Sequence, residues 1–205
     1  MLQIIHSIPG LFRSGIRSVA LIHLRRVGLW LSIVFSMGGS VQADSTSIPE
    51  VRALYLYNFA MFIHWPKSAF PTENSPIRYC VLGDRVLRRT LARLLENEQV
   101  KGHPLELEPL GSPVNSSHCH LLYLDSTQTS NAEQILARMK NQPVVTVGES
   151  KAFPLSGGMI GLVRKGRRIR PVINTRAAEE AGIRISSKLL QLSTVVTGSN
   201  SEGTP

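Results

Sequence analysis

Three short apolar segments constrain the fold of this chain more than any other feature. They occupy residues 78–83, 120–125 and 144–147. Amphipathic helical patterns over 85–96 and 130–140 separate them. Apolar strands that alternate with helices are typical of a parallel sheet that is buried on both sides. We therefore predict one α/β domain, a sandwich with a mostly parallel central sheet covered by helices on both faces.

The remaining patterns add a long helix before this region and a hairpin after it. Residues 48–65 are predicted to form a helix that Pro66 ends. Its apolar side chains cover almost the whole circumference, so we expect it either to be buried on several sides or to contact a partner. Residues 157–163 and 168–174 are predicted to form a hairpin. Two short helices follow, with the predicted N-caps Thr175 and either Ser186 or Ser187.

The first 43 residues have the composition of an export signal. They carry four arginines and no acidic residue, and residues 27–37 form an apolar run. Small side chains before Asp44 are typical of a signal-peptidase site. An uncleaved membrane anchor is the alternative, but a membrane span needs roughly 20 apolar residues and this run is about half as long. We predict the following organisation: a signal peptide over 1–43, an α/β domain over 44–196 and a flexible tail over 197–205.

Removal of the export signal changes the net charge. The whole chain has 23 basic and 14 acidic residues and a formal charge of +9. Because four of the basic residues and none of the acidic ones lie in the first 43 positions, the remainder carries 19 − 14 = +5. This excess suits an acidic partner or a membrane surface and does not require nucleic acid. We therefore predict no nucleic-acid partner.

The chain contains two cysteines, Cys80 and Cys119, and both follow the export signal. A cysteine pair in an exported protein favours a disulfide, and two unpaired buried thiols are the alternative. His118 and His120 flank the second cysteine, but a metal site would need a third ligand beside them. We predict ordinary surface or loop histidines there, and no metal or cofactor. His64 is predicted to lie at a helix end, where it has a local capping role.

Two segments approach catalytic motifs without completing them. Residues 148–152 nearly match a nucleophile elbow, but Pro154 argues against the helix that this motif needs, and no histidine follows His120. Residues 161–167 have phosphate-loop spacing, but arginine replaces the lysine and the segment is predicted to be a hairpin. We therefore predict that the chain is not an enzyme.

Five cations fall within seven residues at the predicted hairpin turn. A solvated hairpin tip is one interpretation, and a docking surface for an acidic partner or an anion is the second. Nucleic acid is a third, which export disfavours. The five residues are Arg164, Lys165, Arg167, Arg168 and Arg170. Pro171, which follows them, is predicted to lie on an edge strand or at a bulge.

Several segments, in order and spacing, resemble the YfiR-like family of periplasmic proteins. The first is the helical stretch 51–66, VRALYLYNFAMFIHWP. The sequence CVLGD at 80–84 and the sequence CHLLYL at 119–124 follow. The resemblance continues through PVVTVG at 143–148, GGMI at 157–160, IN at 173–174 and ISSKLL at 185–190. It therefore extends over most of the predicted domain.

This resemblance implies a non-enzymatic periplasmic regulator. It implies repression of an inner-membrane diguanylate cyclase by binding to the cyclase's periplasmic sensor domain, which controls cyclic di-GMP signalling and biofilm formation. An outer-membrane peptidoglycan-binding lipoprotein is the implied second partner, and the implied oligomer is a homodimer. The resemblance also implies a disulfide between Cys80 and Cys119. A second cysteine pair nearer the C-terminus, which the family pattern leads us to expect, is absent from the sequence.

We expect the contact surface to combine the apolar helix with the cationic hairpin. The predicted partner-binding residues are Tyr57, Phe62, Trp65, Gly157, Gly158, Met159, Arg168, Arg170 and Lys188. An alternative function is a periplasmic module that binds a small ligand or an anion and reports to a transporter or a sensor kinase. Basic residues near the glycines and in the hairpin motivate that alternative.

Overall fold

An eight-stranded sheet forms the centre of the domain. The computed structural model describes residues 47–109, 118–166 and 168–197, so the predicted signal peptide and nearly all of the predicted tail lie outside the described residues. The strands are β1 (Ile63–His64), β2 (Ile77–Leu82), β3 (Gln99–Val100), β4 (His103–Leu107), β5 (Leu121–Leu124), β6 (Val145–Gly148), β7 (Ile160–Lys165), β8 (Arg168–Asn174), β9 (Arg184–Ile185) and β10 (Thr194–Val196). Their order across the sheet is β10-β8-β7-β6-β5-β2-β4-β3, and β1 pairs separately with β9.

The sheet is mostly parallel, as predicted. Strands β4, β2, β5, β6 and β7 are neighbours that run in one direction. Strands β3 and β8 join them antiparallel, and β10 lies parallel to β8. From β2 the chain goes first to β4 and then back to β5 on the other side of β2. The carboxyl ends of β2 and β5 therefore flank a topological switch point, where open α/β sheets often place their functional groups.

Helices cover both faces of the sheet, which confirms the predicted sandwich. They are α1 (Ile48–Phe62), α2 (Arg85–Leu95), α3 (Thr129–Met139), α4 (Ala152–Leu155), α5 (Thr175–Glu180) and α6 (Ser187–Gln191). The larger core joins α1, α2, α5 and α6 to alternate strand residues such as Tyr79 and Leu121. The smaller core joins α3 and α4 to the intervening residues, such as Cys80 and Leu122. Because successive strand side chains point to opposite faces, the two cores lie on opposite sides of the sheet.

Side-chain caps fix the beginnings of α2 and α5. The carboxylate of Asp84 accepts hydrogen bonds from the N–H groups of Val86 and Leu87, both at 2.9 Å, and so caps α2 as predicted. Helix α5 begins after Asn174, whose side-chain oxygen accepts from the N–H of Ala177 at 3.1 Å. The predicted cap, Thr175, is wrong by one residue, because the Asn174 side chain also reaches across to a buried carbonyl of α4.

Helix α1 ends at Phe62, three residues before the predicted end at Trp65. Ile63 leaves the helix to pair with Ile185 in the antiparallel ribbon β1–β9. Ile63 is fully buried there, so its burial and its pairing together replace the last helical turn. Because this pairing joins residues more than 100 positions apart, no local sequence pattern indicates it.

His64 lies in that ribbon, opposite Arg184, and not at a helix end. His64 is exposed, but partial desolvation lowers its pKa from the ordinary value, and the positive charges of Lys101 and Arg184 lower that pKa further. Both effects disfavour the protonated, cationic form of the His64 ring. The predicted capping role of a cationic His64 is therefore wrong.

The two cysteines form the predicted disulfide. Cys80 lies in β2, and Cys119 lies two residues before β5; their Cα atoms are 5.9 Å apart. Both are buried in the smaller core. The bond therefore fastens β2 to the segment that leads into its parallel neighbour β5, on the face that α3 covers.

Pro171 lies in β8, opposite Leu162 of β7. Strand β10 pairs with β8 from Val172 onward, so Pro171 lies just beyond the end of β10 on that side. A residue without an N–H is tolerated at such an edge position, in agreement with the prediction for this proline.

Candidate partner-binding surfaces

The aromatic side chains of α1 and the segment after it anchor the helix to the domain. Tyr57, Phe62 and Trp65 are half-buried and pack against the larger core. The Tyr57 hydroxyl donates to the Glu98 carboxylate at 3.1 Å. The indole N–H of Trp65 donates to the main-chain oxygen of His120 at 3.0 Å. Packing inside the domain accounts for these aromatic residues, and their predicted contact with a partner stays a prediction.

The exposed large apolar side chains of α1 and α2 are different residues from these aromatic ones. Leu54 and Met61 of α1 are 42% and 41% exposed, and Val86 of α2 is 41% exposed. Leu54 and Met61 are seven residues apart, which places them on one side of the helix, two turns from each other. Neither residue is among the predicted partner-binding residues, because the apolar pattern of α1 covers almost the whole circumference and does not indicate which side is exposed. Leu54, Met61 and Val86 are called the apolar strip below.

A buried charged network joins α1 to the carboxyl edge of the sheet. Glu149 directly follows β6, and its carboxylate lies 2.7 Å from the guanidinium Nη1 of Arg52. The Arg52 and Glu149 side chains are only 12% and 14% exposed. The hydroxyl of Tyr123, from β5, also donates to this carboxylate. Burial, and then the hydrogen bond to Glu149, raises the pKa of Tyr123 well above its ordinary value, so the hydroxyl stays protonated.

The cationic hairpin consists of β7, β8 and the turn between them. Lys165 lies opposite Arg168, and Val163 lies opposite Arg170, so these four side chains share one face of the sheet. The three cations are exposed. Arg164 points to the other face, and its Nε donates to the main-chain oxygen of Gly166 at 3.0 Å. Arg167, which belongs to the predicted cluster, lies outside the described residues.

The Gly157–Met159 turn precedes β7 and so lies at the opposite end of that strand from the hairpin tip. Gly157 has φ +95°, a conformation that favours glycine. A Cβ on Gly158 would lie 2.3 Å from the Phe153 ring, and Met159 is buried. Six residues of β7, about 20 Å of strand, separate this turn from the tip. The structure therefore does not bring the predicted turn and hairpin residues together, and it places Lys188 exposed on the short helix α6.

His120 is buried, so the prediction of an ordinary surface or loop histidine is wrong for this residue. The Phe70 ring stacks on the His120 ring with the centroids 4.6 Å apart, and on the ring of His103 with 4.2 Å. The N–H of Arg78 donates to Nδ1 of His120 at 3.1 Å, and Nε2 lies 3.1 Å from the carbonyl oxygen of Ala69. Nδ1 is therefore the acceptor and Nε2 carries the proton, which defines a neutral tautomer. His118 is exposed, as predicted.

Acid is expected to destabilise the domain through His120. Burial lowers the pKa of His120 to about 4 from an ordinary value of 6.5. Between these two values the unfolded chain binds more protons than the folded chain, so the free energy of unfolding falls as the pH falls through this window. Urea unfolding at several pH values measures this loss. The His120→Asn variant keeps an acceptor but does not titrate, so it should lose less stability in acid; an equal loss would contradict this account.

A cluster of potential metal ligands and the serine of a near-match to a catalytic motif both have structural roles. Cys80, His118 and Cys119 place three potential metal-ligand atoms within 4.8 Å of one another, but both sulfur atoms belong to the disulfide. Ser150, the serine of the near-match to a nucleophile elbow, accepts a hydrogen bond from the N–H of Phe153 at 3.1 Å. It thus supports the first turn of α4, a helix that forms despite the prediction made from Pro154, because a proline in the first turn needs no N–H partner.

The chain matches one family model and is similar to two solved structures. A family model described as YfiR/HmsC-like matches residues 49–194. The solved ABC domain in complex with L-Trp from Streptococcus pneumonia is 13% identical with a TM-score of 0.50, and the match covers 72% of this chain and 60% of that one. A conserved domain protein from Vibrio cholerae is 16% identical with a TM-score of 0.46, over 73% of this chain and 60% of that one. The likeness to the ABC domain shows the fold alone, and the chain spans about three fifths of the length of both solved structures.

None of the helices in the described residues has the length and apolar character of a membrane span.

Proposed function

The chain belongs to the YfiR/HmsC-like family, and from this premise we propose that it is a periplasmic, non-catalytic repressor of an inner-membrane diguanylate cyclase. It acts by binding the periplasmic sensor domain of the cyclase, and thereby lowers cyclic di-GMP and limits biofilm formation. The family match over residues 49–194, almost the whole described domain, is the observation that carries this proposal. The proposal includes cleavage of a signal peptide over residues 1–43, which delivers the mature chain to the periplasm.

Two exposed surfaces support a role in protein contact. The apolar strip offers aliphatic side chains, and the cationic hairpin offers Arg168 and Arg170. Lys188 provides a further exposed cation. We propose that these residues touch the partner, while the half-buried or buried members of the predicted set shape the surfaces from beneath. Those members are Tyr57, Phe62 and Trp65, which pack against the larger core. Gly157, Gly158 and Met159 lie at the other end of β7, so their proposed contact with the partner would be separate from that of the hairpin.

Repression follows if the chain binds the inactive state of the sensor domain more tightly than the active state. A ligand can shift a conformational equilibrium only by the ratio of its two affinities. A hundredfold preference, about 2.7 kcal/mol, would turn an even mixture into one that is about 99% inactive. No chemical step is needed for this effect, which agrees with the structural roles found for Ser150 and for the cysteines.

We extend the proposal to two further contacts. One is a homodimer of this chain, and the other is an outer-membrane peptidoglycan-binding lipoprotein that sequesters the repressor. The second contact would release the cyclase by competition, because a repressor held at the outer membrane is removed from the inner-membrane equilibrium.

A pull-down with the mature chain tests the proposal. The chain, immobilised through its C-terminus, is expected to retain the periplasmic domain of an inner-membrane diguanylate cyclase from the same organism. A periplasmic domain of a receptor without a cyclase module is the control and should pass through. Retention of neither domain, or of both equally, would contradict the proposal.

One observation favours the alternative function, a periplasmic module that binds a small ligand or an anion. A cavity of about 130 Å³ lies beside the disulfide, and its polar lining includes Arg78, His118 and His120. A rise in unfolding temperature with a small anion, in a chain that retains no cyclase domain, would support this alternative over the repressor.

A further inference from the structure

The cationic hairpin projects beyond the rest of the sheet. Strand β6 ends at Gly148, which lies beside Gly161 of β7. Strand β7 continues for four more residues to Lys165, so the hairpin extends about 13 Å past the end of β6. Among the described strands, none therefore lies beside the last residues of β7 on the β6 side.

One face of this projection is covered, and the other is open. On the covered face Ile169 is 4% exposed and belongs to the larger core, and the Tyr55 hydroxyl of α1 donates to its carbonyl oxygen at 3.0 Å. On the other face α4 packs against Gly161, where Pro154 Cδ lies 3.0 Å from the position that a Cβ would occupy. Beyond Gly161 this face carries Val163 and the cations Lys165, Arg168 and Arg170, and all three cations are exposed.

No ion pair neutralises the three cations of the open face within the part of the chain that the structure describes. Ion pairs among the described residues do not involve Lys165, Arg168 or Arg170. Like charges that lie on one face of a strand pair repel one another. Binding of an anionic group to this face would relieve the repulsion, so the hairpin is poised for a ligand of negative charge.

We propose that the open face of the cationic hairpin binds an acidic segment of the partner's periplasmic domain in extended conformation. Arg168 and Arg170 are alternate residues of one strand, about 7 Å apart along its axis. An extended chain repeats its side chains at the same interval, so carboxylates at every second residue match the two arginines. Lys165, across from Arg168, can contact the first of those carboxylates from the other side. The inference rests on the proposed function for the identity of the partner.

A membrane surface fits these residues less well. Binding at a lipid interface depends on apolar side chains that enter the headgroup region. The exposed large apolar residues of the described chain are all outside the hairpin; they are Leu54, Met61, Val86, Leu155, Leu192 and Val195. Val163 is the one apolar residue on the open face beyond Gly161, and it is half-buried.

A charge-reversal pair with a matched control tests the inference. The variant is Arg168→Glu/Arg170→Glu, and the control is Arg138→Glu/Lys140→Glu on exposed positions at the end of α3, with the same change in net charge. Binding is measured with the cyclase periplasmic domain and with a synthetic peptide that carries glutamate at every second position, at several salt concentrations. We expect the hairpin variant to weaken binding to both by about tenfold or more and to lose most of the salt dependence, and the control to change binding by less than about threefold.

Each outcome decides one of the two claims. If the wild-type chain binds the cyclase domain and both variants bind it equally, the inference fails and the proposed function stands. If the wild-type chain binds the peptide through the hairpin but not the cyclase domain, the proposed function fails and the acid-binding chemistry of the hairpin stands. Binding to phosphatidylglycerol vesicles but not to the peptide would replace the acidic segment with a membrane. Equal thermal unfolding of all variants shows that they are folded.

Discussion

Replacement of Arg52 by methionine is expected to lower the free energy of unfolding by about 3–5 kcal/mol, because it leaves a buried carboxylate without its partner. The Glu149 side chain is 14% exposed, and the Arg52 guanidinium at 2.7 Å is its ionic partner. The hydroxyl of Tyr123 would remain as a donor, but a neutral hydrogen bond does not replace the lost charge. Urea unfolding of the purified domain measures the effect.

Two further variants distinguish the cost of an unpaired buried charge from the cost of any substitution in an ion pair. Arg52→Met/Glu149→Leu/Tyr123→Phe removes the entire network, and it should recover most of the loss because no charged or polar group stays unpaired. Glu180→Gln removes the acid of the exposed pair with Arg176, whose side chains are 42% and 60% exposed, and should cost less than about 1 kcal/mol. A cost below about 1 kcal/mol for Arg52→Met would show that the network does not stabilise the fold.

Reduction of the Cys80–Cys119 disulfide is expected to cost about 4 kcal/mol. The two cysteines are 39 residues apart, and in the chain-entropy model a loop of this length gives a stabilisation of that size. The bond joins β2 to the segment before β5 inside the smaller core, so its loss also loosens two central strands. Unfolding in urea with and without a phosphine reductant measures the difference.

The double variant Cys80→Ala/Cys119→Ala is the control for the reductant. It should unfold at the same urea concentration with and without phosphine, and its stability should resemble that of the reduced wild-type chain. If the reduced and oxidised wild-type chains differ by less than about 1 kcal/mol, the disulfide does not hold β2 and β5 together.

The elements that the sequence predicted correctly are those with a strong local pattern. Strand β2 and helix α2 carry an apolar run, a turn and a capping aspartate in succession, and Asp84 caps the helix as predicted. The errors fall where distant pairing decides the structure. Strand β1 replaces the end of the predicted first helix because Ile63 pairs with Ile185. The short edge strand β10 has no periodicity long enough to indicate it, and its pairing with β8 defines it.

The candidate surfaces were predictable to different extents. The exposed cations of the hairpin follow from alternation along two strands, and the structure places Arg168 and Arg170 as that alternation requires. The Arg52–Glu149–Tyr123 network was missed, because its ion pair joins residues 97 positions apart. One sequence signal could have found it: Arg52 is the single charged residue in the apolar stretch 51–62.

The cellular level of cyclic di-GMP tests most directly the proposal that this chain represses a diguanylate cyclase. Deletion of the gene should raise that level and increase biofilm, and the rise should disappear when the cyclase gene is deleted as well. Expression of the chain with its own export segment should restore the low level, whereas expression without residues 1–43 should not. An unchanged level of cyclic di-GMP after deletion of the gene, in cells that express the cyclase, would contradict the account.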